Sequence, residues 1–166
     1  MSKLFSSFTC PLNIDVQDFL LNKSIRFEKS SNARTYLILS EVSGDILAYF
    51  SITFKELSLE NFTLSTTKMK KLSGGFSKPE KVKTYLIGQI GKNFSIQDNS
   101  INLQGIFECI WSIIHSAIDL VGGRTVILEC NDDPKIISLY EAQGFKVLIR
   151  HTAIDELTTM YIVVKS

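Results

Sequence analysis

The sequence predicts a single α/β domain spanning 1–166, and three stretches predict it. Residues 34–41 and 46–54 are two strand-like runs, rich in apolar, β-branched and aromatic side chains, on either side of the turn signal Ser43-Gly44-Asp45, the pattern of a β-hairpin. From Leu103 to Val121 apolar residues recur at three- and four-residue steps and stop at Gly122-Gly123, the pattern of a long helix. Residues 124–148 read as strand, capped turn, helix, glycine stop and strand.

Before the hairpin, residues 15–29 carry an apolar stripe of Val16, Phe19, Leu20 and Phe27, broken at Lys23. This predicts an amphipathic helix, with Asn13 or Asp15 able to cap its start. In the hairpin, Tyr36 and Ile38 fall on one face, and Leu37 and Leu39 on the other.

Residues 55–83 are less regular. Leu57, Leu59, Phe62 and Leu64 alternate loosely and extend the second strand as an arm. Lys68, Lys70, Lys71, Lys78, Lys81 and Lys83 follow, with only Glu80 opposing them, and Ser73-Gly74-Gly75 and Pro79 mark a loop. One reading is a basic lip that attracts phosphate. The more ordinary one is a solvated, mobile connection.

Thr84 to Gly91 reads as a central strand, in which Gly88 and Gly91 permit close approach of backbone or ligand. The polar loop beginning at Lys92 feeds the long helix, with Asn99 or Ser100 as its expected cap. A helix N-terminus is a ready anion site, because its first N–H groups lack partners and the helix dipole is positive there. The helix has enough apolar width to be well buried.

In the C-terminal stretch, Thr125 to Leu128 is a β-branched, apolar run. Asn131, Asp132 and Asp133 can each cap a helix, and Pro134 suits its first position. Ile136, Ile137, Leu139 and Tyr140 lie on neighbouring turns. Gly144 ends the helix, Phe145, Val147 and Leu148 begin a strand, and Met160 to Val164 form the last one.

Composition narrows the function. The chain has 166 residues, 45% hydrophobic and 21% charged, with formal charge +1 and mean hydropathy +0.13. That gives no global electrostatic case for nucleic acid. No run reaches the roughly 18 apolar residues of a membrane helix, and residues 1–11 lack a signal-peptide core. A cytoplasmic protein without a membrane partner is expected. Cys10, Cys109 and Cys130 are an odd set without metal-ligand spacing, so free thiols are expected. His115, within the long helix, reads as structural and His151 as exposed, and no metal site is expected. Cys130 beside Glu129 reads as a small buried residue rather than a nucleophile.

The segment Leu139-Tyr140-Glu141-Ala142-Gln143-Gly144-Phe145 resembles the helix end of the GNAT acyltransferases. Upstream, Phe8-Thr9-Cys10, Asp18-Phe19-Leu20, Thr35-Tyr36-Leu37 and Ala48-Tyr49-Phe50-Ser51 are similar, in order, to the opening of the toxin-type GNAT proteins. Ala48 stands where that family has glycine. The resemblance implies a mixed, largely antiparallel sheet flanked by helices on both faces. It implies transfer of an acetyl group from acetyl-coenzyme A to an amine by direct attack. The amine belongs to a small molecule or, as in the toxins, to an aminoacyl-tRNA.

The same resemblance assigns roles. Tyr140 becomes the general acid to the leaving thiolate. Glu129 becomes a base, acting directly or through water, against the ordinary reading of a strand-end carboxylate paired with a lysine. A backbone N–H at or near Ile90 meets the oxyanion. Gly91, Lys92, Asn99, Ser100, Asn102, Leu103 and Gln104 surround the coenzyme, with Gln97 as a remnant of the family's Arg/Gln position. Asp133 stands where many members place an Asn against the coenzyme arm, a role compatible with capping.

One departure is plain. Between Lys92 and Gln104 there is no glycine, Leu103 stands where a loop glycine belongs, and Gly105 comes too late. Backbone amides alone suffice for a pyrophosphate, which keeps the enzyme reading. A non-catalytic binding protein on the same scaffold is the alternative. Homodimer formation stays open.

Overall fold

The computed structural model describes residues 5–59, 64–77, 79–150 and 157–164. Phe62, Lys78 and His151 lie outside the described residues. Six strands hydrogen-bond in the order β1-β2-β3-β4-β6-β5. They are β1 (Arg34–Leu39), β2 (Ile46–Ser58), β3 (Lys81–Lys92), β4 (Thr125–Cys130), β5 (Lys146–Ile149) and β6 (Thr158–Val163). The β1/β2, β4/β6 and β5/β6 pairs are antiparallel, and β3/β4 is parallel. The helices are α1 (Ile14–Asp18), a π-helical segment (Phe19–Lys23), α2 (Ser24–Lys29), α3 (Thr66–Ser73), α4 (Leu103–Val121) and α5 (Pro134–Glu141). None of the described helices is long and apolar enough to cross a membrane.

The chain divides into two compact units. The first is Met1–Thr53 with Gly88–Ile113, and the second is Phe54–Ile87 with Ile114–Ser166.

In the first unit, Asn13 caps α1 by accepting the Val16 N–H (3.2 Å). The single helix expected over 15–29 is instead interrupted. The Ser24 N–H bonds to the Phe19 carbonyl, five residues back. That extra residue re-phases the apolar stripe. Lys23 faces outward and pairs with Asp18 at 2.6 Å, while Ser24 is buried and donates to the Leu20 carbonyl (2.7 Å). Phe19, Leu20, Phe8, Val16, Ile46 and Tyr49 form one core, with Leu21, Ile25, Phe27 and Leu37 packed against it. Each such large apolar side chain contributes about 2 kcal/mol on burial. On the other face of the hairpin, Tyr36 stacks on Phe50 at 5.1 Å. The face assignment of Tyr36 against Leu37 therefore holds.

In the second unit the arm does continue the strand, β2 running to Ser58, and its Leu57 and Leu59 are not left exposed. Leu57 and Leu59 are buried in a second core with Leu72, Val82, Ile127, Leu148, Ile149 and Tyr161. The lysine-rich stretch is no mobile connection either, since Thr66–Ser73 is helix α3. Ser65 caps it by accepting the Lys68 N–H (3.2 Å). Gly74, at φ 81°, ends it, and the Gly74 and Gly75 N–H groups both reach the Lys70 carbonyl. Leu72 points inward, Met69 packs on the same core, and the Leu72 carbonyl accepts from Thr125 Oγ1 (2.8 Å). Tertiary contacts at two apolar positions fix a short polar helix that its composition alone would not hold.

Candidate active site

In the second unit, β4 delivers the chain to a turn that two local features fix. Asp133 accepts the Lys135 N–H (2.8 Å) as the cap of α5, and Pro134 opens the helix. At the far end, Gly144 adopts φ 92° and the Phe145 N–H reaches back to the Tyr140 carbonyl (3.1 Å). Tyr140 is thereby set on the last turn of α5, half-buried, with its ring edge-on to Phe145 at 6.5 Å. Burial, and next to it the Cys130 thiol, push the Tyr140 phenol up to about 12. It remains a proton donor at every physiological pH.

Cys130 is itself buried, with Sγ 3.9 Å from Met160 Sδ. Burial and the Asp132 carboxylate push its thiol up to about 11. A protonated thiol among apolar neighbours is no nucleophile, as the sequence suggested. Glu129 is tied by Lys55, whose Nζ donates to Oε1 at 2.6 Å. The strand-end ion pair is thus realised.

The phenol shifts carry a pH prediction. Tyr140 in the unfolded chain releases its proton near 10, but in the folded chain only near 12. Between these values the unfolded state binds fewer protons, so stability is complete below pH 10 and falls as pH rises towards 12. Tyr49 and Tyr85, also raised by burial, add in the same direction. Urea midpoints from pH 8 to 11.5 should show this fall, and Tyr140→Phe should shallow it. An unchanged slope in that variant would refute the shift at Tyr140.

In the first unit, β3 runs out through Ile90, Gly91 and Lys92 to a loop held by side chains. Asn93, fully buried, is the centre of that loop. Its Oδ1 accepts from the Thr9 N–H (3.0 Å) and the Ser95 N–H (3.0 Å), and its Nδ2 donates to the Ile46 carbonyl (2.8 Å). Asn99 Nδ2 donates to the Leu47 and Asn93 carbonyls, both at 2.8 Å, and its Oδ1 accepts the Ile101 N–H (3.2 Å). Asn99 is therefore a loop staple.

The cap of α4 is neither Asn99 nor Ser100 but Asn102. Its Oδ1 accepts the Gly105 N–H (2.9 Å), and its carbonyl accepts from Ile106. Ser100, Asn102 and Gln104 are exposed, and Lys92, Ile90 and Leu103 half-buried. Gln97 is exposed in the loop. Gln104 Nε2 lies 3.4 Å from Glu108 Oε1, one turn on. The first turn of α4 holds no acidic residue, so no carboxylate of that turn opposes its dipole, while its Gly105 N–H is taken by the Asn102 cap. Gly91 serves the interior: a Cβ there would lie 2.6 Å from Val16 Cγ1 and 2.7 Å from Tyr49 Cε1.

Ile106, Phe107, Ile110 and Ile114 bury the middle of α4 as expected, but Leu120 and Val121 at its end are exposed. His115 is exposed on the same helix. Among the described residues no group of three or more His, Cys, Asp or Glu could hold a metal. Cys10, Cys109 and Cys130 are free thiols.

No protein-family model matches the chain, and no curated protein matches it in sequence. Solved structures do. AtaT complexed with acetyl-methionyl-tRNAfMet superposes with a TM-score of 0.73 at 16% identity, over 96% of this chain and 86% of that one. A tyrosine-to-phenylalanine mutant of KacT gives 0.72 at 16% identity, over 96% and 86%. A tyrosine-to-phenylalanine mutant of the AtaT toxin, bound to acetyl-coenzyme A and the C-terminus of its antitoxin AtaR, gives 0.67 at 13% identity, over 94% and 82%. The chain has the GNAT fold.

Within this GNAT fold the sequence reading missed Asn93. Its signal is faint: one Asn just after a strand, with partners at residues 9 and 46 that no local pattern reveals. Lys55, the partner of Glu129, also went unmarked, since 74 residues separate the two.

Proposed function

We propose that this chain is an acetyl-coenzyme A-dependent N-acetyltransferase whose acceptor is the amino group of an aminoacyl-tRNA. The observation that carries the proposal is Tyr140: a phenol kept protonated by burial on a turn fixed at both ends, in a GNAT fold. The comparison with AtaT, which has been captured with an acetylated methionyl-tRNA, supports the acceptor class.

Acetyl-coenzyme A supplies an activated acetyl group as a thioester. The donor set fits it. The N–H groups of Leu103 and Gln104 at the start of α4, whose first turn holds no acidic residue, would hold the coenzyme's pyrophosphate, and the exposed Ser100 would add a hydroxyl. Lys92 adds positive charge. Asp133 caps α5 through one oxygen, and its exposed carboxylate stays compatible with a contact to the coenzyme arm.

In the transfer, a backbone N–H near Ile90 would stabilise the oxyanion formed as a neutral amine displaces the thiolate. Tyr140, held protonated by burial, would give its proton to that thiolate. Glu129, paired with Lys55, is a minor participant that can accept the amine's proton through water. Lys70 and Lys71, fixed on α3 and exposed, offer phosphate contacts to RNA.

The deciding experiment is a calorimetric titration with acetyl-coenzyme A, followed by acetylation assays on charged tRNAs at several salt concentrations. Micromolar cofactor binding and acetylated aminoacyl-tRNA are expected. Absence of binding at millimolar cofactor would abandon catalysis in favour of a binding role. Binding without tRNA acetylation, but with acetylation of a free amine, would reassign the acceptor.

A second prediction concerns the missing glycine. Leu103→Gly should leave the Kd for acetyl-coenzyme A within about threefold, because the contact is made by backbone N–H groups. A loss of tenfold or more would show that the Leu103 side chain itself is used.

A further inference from the structure

In the first unit, the loop from Lys92 to Leu103 turns from β3 into α4 without a glycine and without a left-handed φ. A phosphate-holding loop ordinarily uses glycine, which turns the backbone sharply and puts no Cβ in the ligand's way. Here side-chain amides do the turning. The Leu47 carbonyl accepts from the Asn93 N–H (2.9 Å) and from Asn99 Nδ2 (2.8 Å), and Asn99 Nδ2 also reaches the Asn93 carbonyl (2.8 Å). Asn93 is 1% exposed and is locked between the Thr9 N–H and the Ile46 carbonyl. Asn99 is thus fastened to β2 and to the root of its own loop at once.

This staple sorts the backbone donors of the loop. The Asn99 N–H goes to the Ile96 carbonyl (3.3 Å), and the Ile101 N–H to Asn99 Oδ1 (3.2 Å). The Gly105 N–H goes to Asn102 Oδ1 (2.9 Å), and the Ile106 N–H to the Asn102 carbonyl (3.1 Å). Between these, the N–H groups of Ser100, Asn102, Leu103 and Gln104 meet no acceptor among the described residues. Donors left over between bonded neighbours are held in fixed directions, as an anion nest requires. The Asn99 side chain itself is no phosphate ligand. Its Nδ2 is committed to two carbonyls, and its Oδ1 is an acceptor that a phosphate would repel. It can act only through the backbone it holds.

We infer that Asn99, anchored by Asn93, is a positioning residue for acetyl-coenzyme A. It keeps the N–H groups of Ser100, Asn102, Leu103 and Gln104 in the arrangement that receives the pyrophosphate, and so replaces by side-chain hydrogen bonds what a glycine loop achieves by backbone freedom. The inference rests on the proposed cofactor and deepens it by naming the side chain that makes a glycine-free loop competent. A loop already held in shape needs little ordering when its ligand arrives, so loss of the staple weakens affinity for the part of the ligand that the loop touches.

The test compares the full chain with its Asn99→Ala variant on two thioesters: acetyl-coenzyme A, and S-acetylpantetheine, which lacks the pyrophosphate and the nucleotide. Calorimetry gives the Kd for the first and NMR titration the Kd for the second. Asn99→Ala should bind acetyl-coenzyme A about tenfold more weakly and S-acetylpantetheine within about twofold of wild type. Equal weakening of both would make Asn99 a purely structural residue and overturn the inference, as would unchanged affinity for acetyl-coenzyme A. If the variant unfolds, hydrogen exchange on the wild type decides. The Asn99 and Ile101 amides should be protected before cofactor is added, and those of Ser100, Asn102, Leu103 and Gln104 only after. Fast exchange at Asn99 and Ile101 in the free protein, or no gain at the other four with acetyl-coenzyme A bound, would overturn the inference and leave the proposed cofactor standing. A wild type that binds neither thioester would overturn both.

Discussion

Tyr140→Phe is expected to lower kcat about 100-fold while leaving the Kd for acetyl-coenzyme A unchanged within about twofold. The size follows from the job assigned to the phenol. Protonating a leaving group in the transition state is worth at least two powers of ten, or about 2.7 kcal/mol. The selectivity follows from the geometry. Phenylalanine keeps the ring and its edge-on contact with Phe145, and the carbonyl of residue 140 still accepts from the Phe145 N–H. The helix end is therefore intact, and a stability change of about 1 kcal/mol or less is expected. Because burial holds the wild-type phenol protonated up to about 12, the wild-type rate should show no basic limb from this group below pH 10. Steady-state kinetics with a parallel cofactor titration checks both halves. Unchanged turnover would remove Tyr140 from the mechanism, and a weakened Kd with unchanged turnover would make it a binding residue.

The strand, turn and helix that carry Tyr140 are legible in the sequence, and the reason is locality. Asp133, Pro134 and Gly144 act on the backbone within a few residues of themselves, so a strand, a cap and a stop can be read in order. The boundaries of α4 were legible for the same reason, since Gly122 and the apolar period are written into the helix. The cap of α4 was not. Asn99, Ser100 and Asn102 are all good caps by type. The choice falls to Asn102 because carbonyls of residues 47 and 93 claim the Asn99 amide, and those partners are distant in sequence.

The same distinction explains α3 and the π-helical segment. Leu72 and Met69 anchor α3 through a core assembled from five strands and loops, while the helix itself reads as polar lysine and threonine. The interrupted stripe at Lys23 did signal a fault in the first helix. Only the packing of Phe27 and Ser24 shows that the fault is an inserted residue rather than a buried lysine. What stays illegible in a single sequence is the long-range claim on a polar side chain.

Gly91→Ala is expected to destabilise the chain by about 3 kcal/mol, a fall of roughly 10 °C in Tm for a chain of this size. The added Cβ would stand 2.6 Å from Val16 Cγ1, 2.7 Å from Tyr49 Cε1 and 3.1 Å from Phe8 Cζ. None of these can give easily. Tyr49 is wholly buried, its hydroxyl is fixed on the Val16 carbonyl, and its ring meets Phe8 edge-on at 5.3 Å and stacks with Phe19 at 6.5 Å. Relieving the clash means moving α1 or the ring together with its hydrogen bond. Gly88 offers the contrast, since a Cβ there would meet only Ser51 Oγ at 3.1 Å, and Gly88→Ala should cost under about 1 kcal/mol. The pair separates two explanations of the strand's glycines. If Gly91 exists to admit a ligand, its alanine variant should fold normally and lose cofactor affinity. If it exists to admit Tyr49 and Val16, the variant should melt early, and Val16→Ala in the same chain should recover part of the loss. Thermal melts of the three variants decide, and a neutral Gly91→Ala would mean that the core around Tyr49 is looser than its packing indicates.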